Sequence, residues 1–370
     1  MSPLAAKHIS QNPESLVKSA LRSPKFLNPA LVVDKDQKIV YLYLDKSPSN
    51  SRQQDMAIIA GGGSSHEPSF GGLILLVIDR VSTFSNKILA TLMNFTGDTL
   101  NFGMAVEKAQ AAWPELQTKM LVVADDVAVP RSSYDNVGRR GMAGTILVHK
   151  MTSAVAGLGY KMKGILEAGR LICDNLLTIG VALDRVQVPG RSVEVSPSYH
   201  LCSDEVGIGM GIYNEPGCAR VSGLDAELGT LVKSSLARLL GTQDPERSFI
   251  KGWLGCAVLL VNNLGDLSVL DLGAALAEIV DQLHNNYNIQ PKCIISGTYM
   301  TSLDCHGFSI TLLNDISLEL PHDVEELLDY PVGAVGWNQN TSLGRQMQAL
   351  ANCLRVAAVQ KSNGKSDVFQ

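Results

Sequence analysis

His66 is the side chain of this sequence best placed to exchange a proton near neutral pH. It lies in Gly61-Gly62-Gly63-Ser64-Ser65-His66-Glu67-Pro68, directly after the apolar run Met56-Ala57-Ile58-Ile59-Ala60. A strand, a glycine turn and then polar side chains are how an open α/β sheet presents a ligand at a strand's carboxyl end. Glycines without a Cβ let backbone N–H groups approach that ligand. The competing reading of His66 is a histidine that ties a turn together by hydrogen bonds. Asp98 follows a second apolar run, Lys87 to Met93, in Asn94-Phe95-Thr96-Gly97-Asp98. An imidazole and a carboxylate on neighbouring strand ends can share a polar pocket as acid and base. The competing reading of Asp98 is a helix cap.

Other candidates are weaker. Asp125 and Asp126 end a third apolar run and are the right types for a metal, but adjacent loop residues point apart, and no metal site is expected. Gly61 to His66 is not a phosphate loop, because it has no lysine for the phosphates. Gly207-Ile208-Gly209-Met210-Gly211 lacks the helix that a dinucleotide fingerprint needs. His149 falls mid-helix and reads as a core or interface histidine; His200 and His306 read as loop histidines. Arg139 and Arg140 read as braces of a loop or interface rather than phosphate ligands. No Ser-His-Asp or Cys-His order emerges.

The elements that would position these groups alternate. Strands are expected at 39–44, 56–60, 87–93, 120–124, 178–183 and 257–261, each running into a polar or glycine loop. Helices are expected after Asp98 (capped by Thr96 or Asp98), over 143–158 closed by Gly159, and over about 162–175, 223–240 and 268–284. This is the pattern of a parallel α/β sheet. Residues 293–300 and 308–313 read as paired strands joined through Asp304 to Gly307. The composition changes after Pro189-Gly190, which predicts an N-terminal α/β lobe over 1–189 and a C-terminal α/β lobe over 190–370.

The totals exclude several classes. The chain has 370 residues, 45% hydrophobic and 18% charged, enough for a sizeable core. A net charge of −5 argues against a nucleic-acid surface. No eighteen-residue apolar run suggests a membrane span, and the N-terminus shows no secretory h-region. Seven scattered cysteines without CxxC pairs fit reduced thiols and a cytoplasmic protein.

Taken together, the motifs resemble those of a known family. Asn28-Pro29-Ala30-Leu31, Gly61 to Pro68, Asn94 to Phe102, Asp125 to Val129, Gly138 to Thr145, Glu205 to Gly217, Val261 to Gly265 and Thr301-Ser302-Leu303-Asp304 come in one order. In that order they are similar to the substrate-binding K domain of the dihydroxyacetone (glycerone) kinase family, over nearly the whole chain. The resemblance implies two α/β lobes, a homodimer, and triose binding through Gly63, Ser64, Ser65, His66 and Asp98. It implies phosphoryl transfer to dihydroxyacetone, with His66 and Asp98 assisting proton transfer from the receiving hydroxyl. In the family a second histidine bonds covalently to the substrate carbonyl as a hemiaminal. Here the motif reads Gly211-Ile212-Tyr213-Asn214-Glu215-Pro216-Gly217, and Tyr213 stands at that position. A phenol is a poor nucleophile toward a ketone. Met93 stands where the family carries a lysine, and the segment between Pro68 and Met93 is shorter than the family's. No cofactor is expected on this domain. The chain ends after the K domain, so ATP or a phospho-protein donor would act through a separate L-domain subunit. The alternative is a pseudoenzyme that holds a small carbonyl or polyol ligand, or a partner, without catalysis.

Overall fold

The computed structural model describes residues 85–133, 138–186, 201–250, 252–318, 320–331 and 337, with the shorter stretches 22–27, 31–34, 39–42 and 57–61 and single residues 12, 14, 15, 19 and 29. A short helix α1 (Ser23–Leu27) precedes an antiparallel pair, β1 (Leu31–Asp34) and β2 (Ile39–Leu42). Then β3 (Ala57–Gly61), β4 (Lys87–Met93) and β5 (Gln117–Val123) form a three-stranded parallel sheet with β4 in the middle. Helix α2 (Thr96–Ala112) makes the crossover from β4 to β5. Its Phe102, Ala105, Val106 and Ala109 recur at helical spacing and pack on Ile88, Ala90 and Leu92.

After β5 come α3 (Thr145–Gly157) and α4 (Met162–Asp174), then β6 (Leu176–Ala182). Gly159 closes α3 in the left-handed region (φ 85°), as the sequence suggested. The later strands are β7 (Glu205–Ile208), β8 (Ala219–Ser222), β9 (Cys256–Asn263), β10 (Gln290–Gly297) and β11 (Gly307–Asn314). With β6 they make a six-stranded sheet in the order β10-β9-β11-β6-β7-β8. Helices α5 (Leu228–Leu240) and α6 (Val269–Tyr287) follow β8 and β9, and α7 (Val324–Asp329) packs on α3.

Two expectations are corrected here. β10 and β11 do not pair with each other. β9 lies between them, parallel to β10 and antiparallel to β11, because α6 carries the chain across to a parallel neighbour before β11 returns. The helix expected over 223–240 is a 3-10 turn (Gly223–Ala226) followed by α5. The boundary expected at 189/190 falls outside the described residues. β6, ahead of it, is hydrogen-bonded to β7 and β11 behind it.

Strand alternation builds the two main cores. Leu176, Val258, Leu260 and Leu313 face α3 and α4 and join Leu89, Leu121 and Val123 of the first sheet in one cluster. Leu177, Ile179, Val181, Leu259, Val261, Ile310 and Leu312 face α5 and α6. Each fully buried side chain of this kind contributes about 1.5–3 kcal/mol. The sheets meet where Thr178 N–H donates to Asp125 O at 2.7 Å and Val127 N–H donates to Thr178 O at 2.9 Å. Among the described residues no helix is long and apolar enough to cross a membrane.

Candidate functional site

Parallel strands β3 and β4 end side by side, Gly61 opposite Leu92. Beyond Met93 the chain turns at once. Asn94 N–H donates to Val123 O at 2.8 Å, and the Asn94 carboxamide donates to Arg139 O at 2.6 Å. The loop carrying Arg139 lies directly on this strand end: a Cβ on Gly141 would stand 2.6 Å from Met93 Cβ, so only glycine fits. Phe95 is the N-cap of α2 and makes no side-chain capping bond. The cap expected of Thr96 or Asp98 is therefore corrected. Asp98 lies in the first turn, buried, where the positive end of the helix favours a carboxylate.

The 209–217 loop approaches from the second sheet. Gly211 N–H donates to Glu215 O (3.1 Å), and Asn214 takes a left-handed φ of 64°. The Asn214 side chain accepts from Val186 N–H at 2.9 Å and donates to Val186 O at 3.0 Å. The Glu215 carboxylate accepts from Tyr213 N–H at 2.9 Å. This brings the Tyr213 ring onto Phe95, with centroids 4.8 Å apart at 54°. An aromatic pair of this kind adds about 0.5–1.5 kcal/mol beyond its buried area. Burial, then the charges of Asp98 and Glu215, push the Tyr213 phenol above its ordinary 10. At neutral pH Tyr213 is thus an uncharged hydroxyl, able to donate and accept a hydrogen bond.

The neighbouring acids are fasteners. Asp125 accepts from Met142 N–H (2.7 Å), Gly144 N–H (2.9 Å) and the Thr178 hydroxyl, anchoring the start of α3. Asp126 takes Arg140 in a forked pair, 2.7 Å from Nε and 2.6 Å from the terminal nitrogen, and accepts from Ala128 N–H at 2.8 Å. Arg140 also donates to Gly209 O at 2.8 Å and so ties the end of β5 to the Tyr213 loop. Arg139 stacks on Phe249, 4.2 Å from the ring centroid. Both arginines brace loops, as their place in a glycine turn suggested. Among the described residues no cluster of histidine, cysteine or acid could hold a metal.

The structure brings Asp98 and Tyr213 to one strand-end cluster. Gly63, Ser64, Ser65, His66 and His200 lie outside the described residues. His149 sits in α3 and His306 in the turn before β11, where its carbonyl accepts from Leu183 N–H at 2.7 Å. Sequence reasoning overlooked Phe95 and Glu215, although both lie inside motifs it singled out. No local pattern announces that one supports the Tyr213 ring and the other its backbone.

Comparison with known proteins accords with this arrangement. The Dak1 domain family matches residues 73–336. Dihydroxyacetone kinase 2 of Saccharomyces cerevisiae is 34% identical over 346 residues, which cover 88% of this chain and 57% of that one. The native form of the dihydroxyacetone kinase of C. freundii superposes with a TM-score of 0.67 at 25% identity, over 88% of this chain and 58% of that one. A dihydroxyacetone kinase operon co-activator superposes with a TM-score of 0.68 at 26% identity, over 88% of this chain and 98% of that one. The chain spans somewhat over half the length of the two kinases. A match across most of the chain, including the strand ends that carry Asp98 and Tyr213, makes it a member of the Dak1-domain family of dihydroxyacetone kinases.

Proposed function

We propose that this chain is the triose-holding part of a phosphotransferase, which presents dihydroxyacetone for phosphoryl transfer. The observation that carries the reading is the meeting of Asp98 and Tyr213 at the end of the parallel strands, within a frame fastened by Asp125, Asp126 and Arg140. Asp98 and His66 assist transfer of the proton from the hydroxyl that receives the phosphoryl group, and Gly63, Ser64 and Ser65 bind the triose. Transfer itself depends on positioning and charge stabilisation. Tyr213 offers a hydrogen bond to the ligand oxygen and forms no covalent bond, so the triose is held non-covalently. ATP or a phospho-protein donor acts through a separate subunit. The protein works in the cytoplasm as a homodimer of two-lobed chains and holds no cofactor of its own.

The test is turnover of dihydroxyacetone with ATP and a supplied L-domain subunit. Turnover that disappears in His66→Ala supports the kinase. A second reading, a binder without chemistry, draws on Tyr213 itself and on the likeness to an operon co-activator. Saturable triose binding with no turnover would establish that reading instead. Borohydride reduction in the presence of dihydroxyacetone should leave the intact mass unchanged under either, and an adduct would refute non-covalent binding.

A further inference from the structure

The Thr301-Ser302-Leu303-Asp304 motif has no part in the proposed chemistry, yet it is built with care. Asn262, fully buried at the end of β9, accepts from Tyr299 N–H and Met300 N–H, each at 2.9 Å, and donates to Met300 O at 2.7 Å. Ser302 N–H donates to Leu264 O at 2.8 Å, and Cys305 N–H donates back to Ser302 O at 2.9 Å. Leu303 takes a left-handed φ of 48°, which is costly for a side chain of its size. Gly265 faces it at φ 148°, where a Cβ would overlap the Leu303 carbonyl. So many backbone ties hold Ser302 in one place, itself only 5% exposed. Its hydroxyl donates to Ile212 O.

That carbonyl belongs to the peptide unit joining Ile212 to Tyr213. The N–H of the same unit is held by the Glu215 carboxylate at 2.9 Å. Both polar groups of one peptide plane are therefore tied, one by the loop between β10 and β11 and one within the 209–217 loop. A peptide plane held at its oxygen and at its nitrogen cannot rotate, which fixes the position of the Tyr213 Cα from which the ring reaches Phe95. We propose that Ser302 is a positioning residue for the ligand site, which sets the aim of the Tyr213 ring against Phe95. The effect on ligand rests on the functional reading above; the effect on the ring does not. A hydroxyl that only satisfies a buried carbonyl would leave the ring unmoved on removal.

The experiment is an NMR comparison of the full chain labelled with 13C-tyrosine. The chain holds nine tyrosines, and loss of one signal in Tyr213→Phe identifies Tyr213. In Ser302→Ala the Tyr213 signal should move more than that of any other tyrosine, Tyr299 included. Ser302→Thr should restore it. Affinity for dihydroxyacetone should fall about two- to tenfold in Ser302→Ala, the range of one lost hydrogen bond, and recover in Ser302→Thr. Where the alanine variant does not fold, Ser302→Cys, close in size and a weaker donor, should give the same displacement. A Tyr213 signal that stays put, or moves less than that of Tyr299, overturns the proposal. A displaced signal in a protein that binds no dihydroxyacetone supports the positioning role and refutes the functional reading.

Discussion

At the end of β5, Asp125 and Asp126 are wholly buried, and each of their four carboxylate oxygens accepts a bond from a neighbouring loop or side chain. At the end of β4, Asp98 sits in the first turn of α2, and its charge is felt by the Tyr213 phenol across the gap between the sheets. Both acids follow a buried parallel strand, and in the sequence they look alike. What separates them is where their partners come from. Asp125 and Asp126 bind the backbone of the 138–144 loop and the Arg140 fork, so they hold the molecule together. Asp98 stands beside a pair of aromatic rings, in the place the proposed function gives to the ligand. Stability and function should therefore respond in opposite ways when the two regions are altered.

The largest effect should come from Asp126→Ala. It leaves Arg140, whose side chain is only 13% exposed, without its carboxylate. Breaking a buried pair in this way costs about 3–5 kcal/mol. Urea unfolding should show the loss directly, and a loss under 1 kcal/mol, on the order of an exposed surface pair, would erase the contrast. Next in size is Asp98→Asn. Turnover in the assay above should fall about a hundredfold, the lower range for a lost general acid or base. Its unfolding midpoint should stay near that of the unaltered protein. If stability fell as far as in Asp126→Ala, Asp98 would be a third fastener.

The helix that Asp125 anchors also carries an acid-sensitive group. His149 lies on α3, the helix that Asp125 anchors, and burial pushes its imidazole from 6.5 down to about 4. Between those values the unfolded chain binds more protons than the folded one. The stability that neutral His149 supplies is thus complete above about pH 6.5 and is lost as pH falls toward 4. Its side chain is partly exposed, and after allowance for that screening the loss is about 2 kcal/mol. Unfolding at pH 7 and pH 5 should show a drop that His149→Gln reduces. An equal drop in the variant would move the acid sensitivity elsewhere. Tyr213 contributes nothing in this range, because its phenol is pushed above 10.

Much of the fold could be read from the sequence, but the contrast between the two regions could not. Strands ending in polar loops, the places of the helices and the Gly159 stop follow from local patterns of period two and period 3.6. Asp98 is nominated by its place after an apolar run, whereas Tyr213 is nominated only through the family resemblance, which places a histidine there. The pairing of β9 between β10 and β11 did not show, because neighbouring strands in a buried sheet carry no mark of partner order. The membership of β6 in the second sheet was hidden for the same reason. Phe95 as N-cap defied expectation, and its ring packs against Tyr213, far along the chain. The different fates of Asp98 and Asp126 depend on which loop folds over each, and spacing along the chain does not encode that.

Arg140 links the fastened loop to the loop that carries Tyr213, and it yields the smallest but most discriminating prediction. Its fork engages Asp126, while the same terminal nitrogen reaches Gly209 O in the loop that carries Tyr213. Arg140→Lys keeps the charge near Asp126 but offers a single point in place of a planar fork. It cannot satisfy the carboxylate and Gly209 O with the same geometry. Stability should fall by about 1 kcal/mol, the net worth of one hydrogen bond, far less than in Asp126→Ala. Triose affinity should weaken by about threefold to fivefold through the loosened Tyr213 loop, a matching loss of one bond. A calorimetric titration read beside an unfolding curve tests both. If affinity were untouched while stability fell, Arg140 would belong wholly to the fastening region, and the Tyr213 loop would rely on Glu215, Asn214 and Ser302 for its shape. If both change together, the fastening acids reach the Tyr213 loop through Arg140.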